Sequence, residues 1–184
     1  MAKNIKRATL LSALLTLLFV GLYLWLRLPI LLSLAITAGT FLYHLAMRLA
    51  VGAAVNAIMH NRADASAPWF RPRAWEHRAY KRLGVRRWRD RMPTYDPSQF
   101  SLQNHTVREI LGANCQAEVV HEIIMLLSFV PIAFVPLFGA FPVFLITSVL
   151  AALYDSLFVL MQRYARPHLL RAMQHMERTE RKGD

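Results

Sequence analysis

Long uncharged apolar segments alternate with basic, polar segments along the chain. Residues 8–26 contain no charged side chain, and residues 28–47 contain no Asp, Glu, Lys or Arg and a single histidine, His44. Residues 123–154 are also uncharged, but two prolines and a glycine between 136 and 142 interrupt them. A helix needs about 20 apolar residues to cross a bilayer. The pattern therefore predicts an all-α, polytopic membrane protein with four transmembrane helices, at about 8–26, 28–50, 117–135 and 141–161.

The first apolar segment has two interpretations. Lys3, Lys6 and Arg7 precede it, as basic residues precede the apolar part of a signal peptide. The segment is long for that role, and no small-x-small cleavage site follows it. We interpret it as a retained transmembrane helix.

The segment 60–116 is basic and rich in aromatic residues. Trp75, Ala79 and Leu83 fall on one helical face, and Gly84 is expected to end that helix. So short a segment rarely supports a core of its own. We predict amphipathic interfacial helices on the cytoplasmic membrane surface, a basic interfacial tail at 163–184, and a single membrane domain over 1–184.

The distribution of basic residues predicts the orientation. The N-terminal arm has 3, the segment 60–116 has 11 and the tail has 6, whereas the turn near Arg27 has 1 and the turn at 136–142 has none. By the positive-inside rule, both termini and the segment 60–116 lie in the cytoplasm. We expect a multi-pass protein of the cell membrane.

Composition narrows the functional classes. With 55% hydrophobic and 18% charged residues, the chain is too apolar for an ordinary soluble domain. A single cysteine, Cys115, excludes an internal disulfide framework and a multi-cysteine metal site.

The net charge of +11 points to anionic partners. The stretch 71–91 holds 9 basic residues against Glu76 and Asp90. It suits anionic lipid headgroups, and it also suits a phosphorylated ligand such as coenzyme A. We expect no nucleic acid partner, because the stretch is held at the bilayer.

The ionisable residues within the predicted spans lie towards the cytoplasmic ends of the helices. Glu118 and His121 are three residues apart and share a helical face, and Glu122 lies on the same side. A carboxylate that orients an imidazole is the minimum equipment of a general base. The alternative is that these residues pair with Arg163 or extend to the interface without a chemical role.

Other motifs carry less weight. Glu-x-x-His occurs in di-iron bundles, but those need a second copy that this sequence lacks, so we expect no metal. Cys115 lies about 240° from His121 around a helix, which favours a structural role. The residues His60–Asp64 are one residue short of a His-x4-Asp acyltransferase signature. The glycosylation sequon at Asn104 is on the cytoplasmic side in the predicted topology, so we interpret it as chance.

Three stretches together resemble the glycosyl-4,4'-diaponeurosporenoate acyltransferase family, small membrane proteins of bacterial carotenoid pathways. The first runs from Trp75-Glu76 through Tyr80-Lys81 and Leu83-Gly84-Val85 to Trp88, Asp90 and Pro93. The second is Ala117-Glu118-Val119-Val120-His121, and the third is Gln162-Arg163-Tyr164-Ala165-Arg166-Pro167. The resemblance covers roughly 70–171 and implies acyl transfer to a sugar hydroxyl of a glycosylated carotenoid.

The resemblance also implies the site. It assigns catalysis to Glu118, His121, Arg163 and Tyr164. We expect substrate contacts from Glu122, Asp155, Gln162, Arg166, Trp75 and Trp88. Ala165, His168, Asn114 and Asp155 depart from the residues usual in the family, and these departures bear on the acceptor more than on the fold.

Two hypotheses of different classes follow. In the first, the protein is an acyltransferase at the inner leaflet, with acyl-coenzyme A or another donor as co-substrate, no bound cofactor, and a lipid or glycolipid acceptor. In the second, it is a non-enzymatic accessory or lipid-binding protein whose polar residues fix helix packing. A transporter is a weaker third option, since four helices are few for alternating access unless the chain forms a homo-oligomer.

Overall fold

The computed structural model describes residues 2–95 and 97–183. Helices make up 82% of the chain, and the described residues contain no strand. The α-helices are α1 (Ala2–Leu26), α2 (Pro29–Met59), α3 (Glu76–Arg82), α4 (Val85–Trp88), α5 (Val107–Leu127), α6 (Val135–Phe138) and α7 (Phe141–Gly183). Short 3₁₀-helices lie at Pro68–Phe70, Arg89–Arg91, Pro97–Phe100 and Val130–Phe134.

Within the described residues, four helical segments are long and apolar enough to cross a membrane. They are Lys3–Leu26, Pro29–Met59, Val107–Phe138 and Phe141–Met176. The predicted all-α fold with four membrane-spanning helices is therefore confirmed, and the chain is a multi-pass membrane protein.

The third membrane helix begins earlier than the hydrophobic pattern suggested. Thr106 and Glu109 form a reciprocal cap, in which the Thr106 N–H donates to Glu109 Oε2 at 2.8 Å and the Glu109 N–H donates to Thr106 Oγ1 at 3.3 Å. This arrangement satisfies backbone donors at a helix N-terminus. Helix α5 therefore begins at Val107, ten residues before the span that hydropathy marks.

The basic tail is the continuation of the fourth membrane helix. We expected a separate interfacial helix there, but α7 runs without a break from Phe141 to Gly183 and passes through Pro167. Helix-favouring residues on both sides of Pro167 continue the helix, although the proline has no N–H to offer the carbonyl of Arg163.

The amphipathic part of the segment 60–116 forms two short helices. Gly84 separates α3 from α4 with a φ of 60°, a left-handed conformation that glycine adopts without steric cost. The expected helix end at Gly84 is thus confirmed. Trp75 and Leu83, at the two ends of α3, are 54% and 53% exposed.

The chain divides into two compact units. The first unit comprises Met1–Ala53 and Ile123–Asp155, and the second comprises Ala54–Glu122 and Ser156–Asp184. In the first unit, Arg48 and Asp155 form a salt bridge in which the Asp155 side chain is 1% exposed. The pair neutralises two charges that would each be costly within a membrane helix.

A proline breaks the third membrane helix within the first unit. Pro131 has no N–H, so the carbonyl of Leu127 loses its normal helical donor. The Tyr43 hydroxyl of α2 donates to that carbonyl at 2.8 Å. A backbone group in hydrocarbon must find a partner within the protein, and Tyr43 supplies it.

We expect Tyr43→Phe to lower the free energy of unfolding by about 1 kcal/mol, because the Leu127 carbonyl is left without a donor. The melting temperature of the purified protein in detergent micelles would measure this. Tyr95→Phe is the control, since Tyr95 is 51% exposed. Equal melting temperatures for both variants would contradict the role given to Tyr43.

Candidate functional site

The second unit contains a buried cluster of two carboxylates and two guanidiniums. Glu118 of α5 is 0% exposed, Glu76 of α3 is 3% exposed and Arg166 of α7 is 1% exposed. Arg163, also of α7, has a side chain that is 11% exposed. Two negative and two positive charges balance within the cluster, which is what their burial requires.

Glu118 is the centre of the ion cluster. Arg163 Nη1 donates to its Oε1 at 2.5 Å, and Arg166 Nη2 donates to its Oε2. Arg163 and Arg166 are three residues apart in α7, so their side chains leave the helix on the same face. One carboxylate from α5 therefore holds two arginines of α7.

All three nitrogens of the Arg163 guanidinium contact acceptors. Its Nε donates to Glu76 Oε1 at 2.9 Å, and its Nη2 lies 2.7 Å from the same oxygen. The carbonyls of Trp69 and Arg71 accept from Nη1 at 3.5 Å and from Nη2 at 3.3 Å. Each nitrogen of this guanidinium therefore contacts at least one acceptor, through four hydrogen bonds and one ion-pair contact.

Arg166 attaches the preceding loop to α7. Its Nη1 donates to the Phe70 carbonyl at 3.1 Å, and its guanidinium lies 4.9 Å from the centre of the Phe70 ring. Phe70 is itself buried at 7% exposure. Among the described residues, the buried Nε of Arg166 has no hydrogen-bond partner.

Two tyrosines extend the cluster. The Tyr80 hydroxyl donates to Glu76 Oε2 at 2.7 Å, and the Tyr80 ring meets the Tyr164 ring edge-on at 5.4 Å. Burial and the hydrogen bond to Glu76 raise the pKa of Tyr80 above its ordinary value. Tyr80 therefore stays a neutral donor to Glu76. The Arg89 guanidinium lies 5.1 Å from the centre of the Tyr164 ring.

Amide side chains connect the helices beside the cluster. Asn114 Nδ2 donates to Gln162 Oε1 at 2.6 Å. Gln116 Oε1 accepts from the Asn61 N–H at 2.7 Å, and a Cβ at Gly112 would lie 2.2 Å from the Asn61 carbonyl oxygen. Gly112 is therefore required for the close approach of the chain at Asn61 to α5.

The two tryptophans predicted at the site lie apart from the ionic contacts. Trp75 is 54% exposed at the start of α3, and Trp88 Nε1 donates to the Leu83 carbonyl at 3.0 Å. Trp69 instead contacts a predicted site residue, because its Nε1 donates to Glu122 Oε2 at 2.9 Å.

The remaining predicted residues occupy two places. The His121 ring stacks on the Phe158 ring in the second unit, with ring centres 4.5 Å apart and planes 7° apart. Asp155 belongs to the first unit, where it pairs with Arg48. Among the described residues, no group of three or more His, Cys, Asp or Glu side chains could hold a metal ion.

The comparisons with known proteins bear on this cluster. A family model described as glycosyl-4,4'-diaponeurosporenoate acyltransferase matches residues 66–175, more than half of the 184 residues. The chain belongs to this family. No curated protein and no solved structure matches the chain.

Membership of the glycosyl-4,4'-diaponeurosporenoate acyltransferase family gives the chain an acyltransferase role in a carotenoid pathway. The matched range contains all four members of the ion cluster, as well as His121 and Tyr164. It does not contain Arg48, the partner of Asp155, nor any part of α1 and α2.

Glu76 is the member of the cluster that the sequence reasoning left out of the site. It lies in the first stretch of the family resemblance, next to Trp75, but the resemblance assigns it no role. A signal was present, because Glu76 is one of two acids within the strongly basic stretch 71–91. The sequence could not indicate the acceptor carbonyls of Trp69, Phe70 and Arg71, because every residue has a backbone carbonyl.

The ion cluster lies among the polar residues that the family match contains. Both oxygens of Glu118 accept hydrogen bonds from guanidiniums. That Glu118 also orients His121 stays a prediction. The same contacts fix the loop at 69–71 and helix α3 against α5 and α7. His121, Glu122 and Tyr164 remain partly exposed beside this fixed frame.

Replacing Glu118 with glutamine should strongly destabilise the protein. Two buried guanidiniums would lose their charged partner, and breaking a buried ion pair from one side costs about 3–5 kcal/mol. The measurement is the melting temperature in detergent, with Asp90→Asn as the control because the Asp90 side chain is 76% exposed. A Glu118→Gln protein as stable as the control would show that the pairs contribute little.

Proposed function

We propose that the protein transfers a fatty-acyl group from an activated donor to a hydroxyl of a membrane lipid or glycolipid of the carotenoid-glycoside type, at the inner leaflet of the cell membrane. The observation that carries the proposal is the family match over 66–175, which contains the whole ion cluster and His121. The four membrane helices agree with a lipid-resident acceptor.

His121 is the proposed general base. Its imidazole would take the proton from the acceptor hydroxyl as that oxygen attacks the acyl carbonyl. The bond between the acyl carbon and the donor's leaving group breaks, the new ester bond forms, and the proton passes to the leaving group. Stacking on Phe158 fixes the plane of the ring while leaving it partly exposed.

The ion cluster would act through position. Arg163 makes four hydrogen bonds and a further ion-pair contact with Glu76, so its contacts support holding the loop at 69–71 more than holding a donor phosphate. Arg166 is 1% exposed and contacts Glu118 and the Phe70 carbonyl, which likewise favours a positioning role. Tyr164, Gln162 and Glu122 would line the site.

The exposed face of α3 and α4 would meet the anionic partners. Five basic residues of these helices are exposed: Arg78, Lys81, Arg82, Arg86 and Arg87. Exposed Trp75 and Leu83 accompany them, which is the mixture typical of a segment lying in a membrane interface. We propose that this face binds anionic headgroups and attracts an anionic donor such as acyl-coenzyme A.

The orientation rests on charge. Basic residues are concentrated at the ends of the spans that also carry the termini, and the positive-inside rule supports our proposal that both termini and the acyl-transfer site are cytoplasmic. A cytoplasmic donor such as acyl-coenzyme A would then reach the site without crossing the bilayer.

One test of the proposed function measures the acylated product. Lipid extracts of the native host carrying the wild-type chain should contain a lipid heavier by one fatty-acyl unit, which is lost with His121→Ala. Mass spectrometry of total lipids at matched membrane levels of each protein is the measurement. His175→Ala is the control, because His175 is an exposed histidine elsewhere in the chain.

The outcomes separate the two classes of function. Product lost with His121→Ala but kept with His175→Ala, at unchanged melting temperatures, supports catalysis. A lipid profile that does not depend on the wild-type chain would overturn the acyltransferase proposal. The four hydrogen bonds of Arg163 would then favour an accessory protein whose polar residues hold its helices together.

Another test of the proposed function measures how the acyl donor binds. Replacing Arg78, Lys81 and Arg82 together by glutamine should raise the KM for palmitoyl-coenzyme A at low salt and leave kcat nearly unchanged. Each basic residue near a charged surface contributes about 1 kcal/mol, and salt screens that attraction. An equal effect of the triple variant at low and high salt would contradict an electrostatic role.

A further inference from the structure

The first unit contains a partly open apolar cavity of about 320 Å³. Its lining comes from α1, α2, the broken end of the third membrane helix and the start of α7. Each of these elements belongs to a segment that is long and apolar enough to span a membrane. The cavity therefore opens among helices whose surroundings are hydrocarbon.

The walls offer almost no polar group to an occupant. Three hydroxyls line the cavity, and each already donates within the protein. Thr16 donates to the Ser12 carbonyl at 2.7 Å, Thr40 to the Ile36 carbonyl at 2.7 Å, and Tyr43 to the Leu127 carbonyl at 2.8 Å. The rest of the lining is carbon, including Phe134 and Phe144.

Two local features of the sequence produce the space. Ala35 and Gly39 are four residues apart on α2, so they leave the same face of that helix with little side-chain volume. Pro131 shifts the third membrane helix into a 3₁₀-helix over Val130–Phe134. Small residues on one wall and an altered helix on the other leave a gap that neither fills.

The volume suits a hydrocarbon chain. An apolar cavity of roughly 150 Å³ stays dry and binds benzene. A cavity about twice that size would hold roughly a dozen carbon atoms. Protein interiors are close-packed, so an apolar void this large is unfavourable when nothing fills it.

We propose that this cavity binds one fatty-acyl chain of a membrane lipid. Bilayer lipid is the apolar material that surrounds these helices, and the lining accepts carbon and offers no free donor. The inference deepens the proposed function, since it gives a fatty-acyl chain a place in the protein. It concerns binding alone and needs no acyl transfer.

The test uses the full chain in vesicles of branched-chain diphytanoyl phosphatidylcholine that contain a varied small fraction of straight-chain phosphatidylcholine with a diazirine in its acyl chain. After illumination, mass spectrometry of peptides locates the label. We expect labelling of 32–43 and 131–144 that saturates as the probe fraction rises and that unlabelled straight-chain phosphatidylcholine competes away. Exposed residues such as Leu17, 70% exposed, should be labelled without saturation.

A matched pair of variants sharpens the test. Ala35→Phe places a ring in the cavity and should lower the saturable labelling about tenfold, because the ring occupies the volume of the chain. Ala53→Phe makes the same substitution at an exposed position of α2 and should change nothing.

The outcome is decisive even where Ala35→Phe does not fold. Phe134→Ala enlarges the cavity and should shift saturable labelling towards a longer-chain probe. Labelling of the wild-type cavity that neither saturates nor responds to either variant would overturn the proposal. If labelling fails in this way while wild-type cells still produce the acylated lipid, the lipid-binding role of the cavity is rejected and the proposed acyltransferase function is not.

Discussion

A carboxylate with no exposed surface, Glu118, holds two arginines, and the second unit is arranged around that contact. Buried charges are costly unless they are paired and their remaining hydrogen-bonding groups are satisfied. Glu76 supplies the second negative charge, and backbone carbonyls of the loop at 69–71 accept further N–H groups of both guanidiniums. The need to satisfy two guanidiniums therefore determines where this loop and α3 lie.

The first unit must also pair its buried charges and polar backbone groups, and it does so with different residues. Arg48 and Asp155 neutralise each other directly, so neither charge is left alone in an apolar helix. The break at Pro131 would leave a carbonyl exposed to hydrocarbon, and the Tyr43 hydroxyl satisfies it. Small residues on α2 meet this altered helix and leave space between them. One proline thus leads both to a polar contact between helices and to an apolar cavity.

Acyl transfer to a lipid makes two chemical demands that a membrane protein can meet separately. The polar demand, proton removal and charge stabilisation, calls for groups held in fixed positions within a low dielectric. The ion cluster holds its side chains through paired charges, and His121 and Tyr164 are partly exposed. The apolar demand, accommodation of a long chain, calls for a dry space with few polar groups. The cavity of the first unit has that character.

The sequence by itself determined the four membrane helices, because the length of an uncharged run decides whether a helix can span hydrocarbon. It also determined the helix end at Gly84, a feature that depends on near neighbours in the chain. Only the tertiary structure decided that Glu76 meets Arg163, 87 residues away, and that the chain at Asn61 requires a glycine at 112. Hydropathy and helical period report on residues a few positions apart, whereas these contacts depend on how distant segments pack in space.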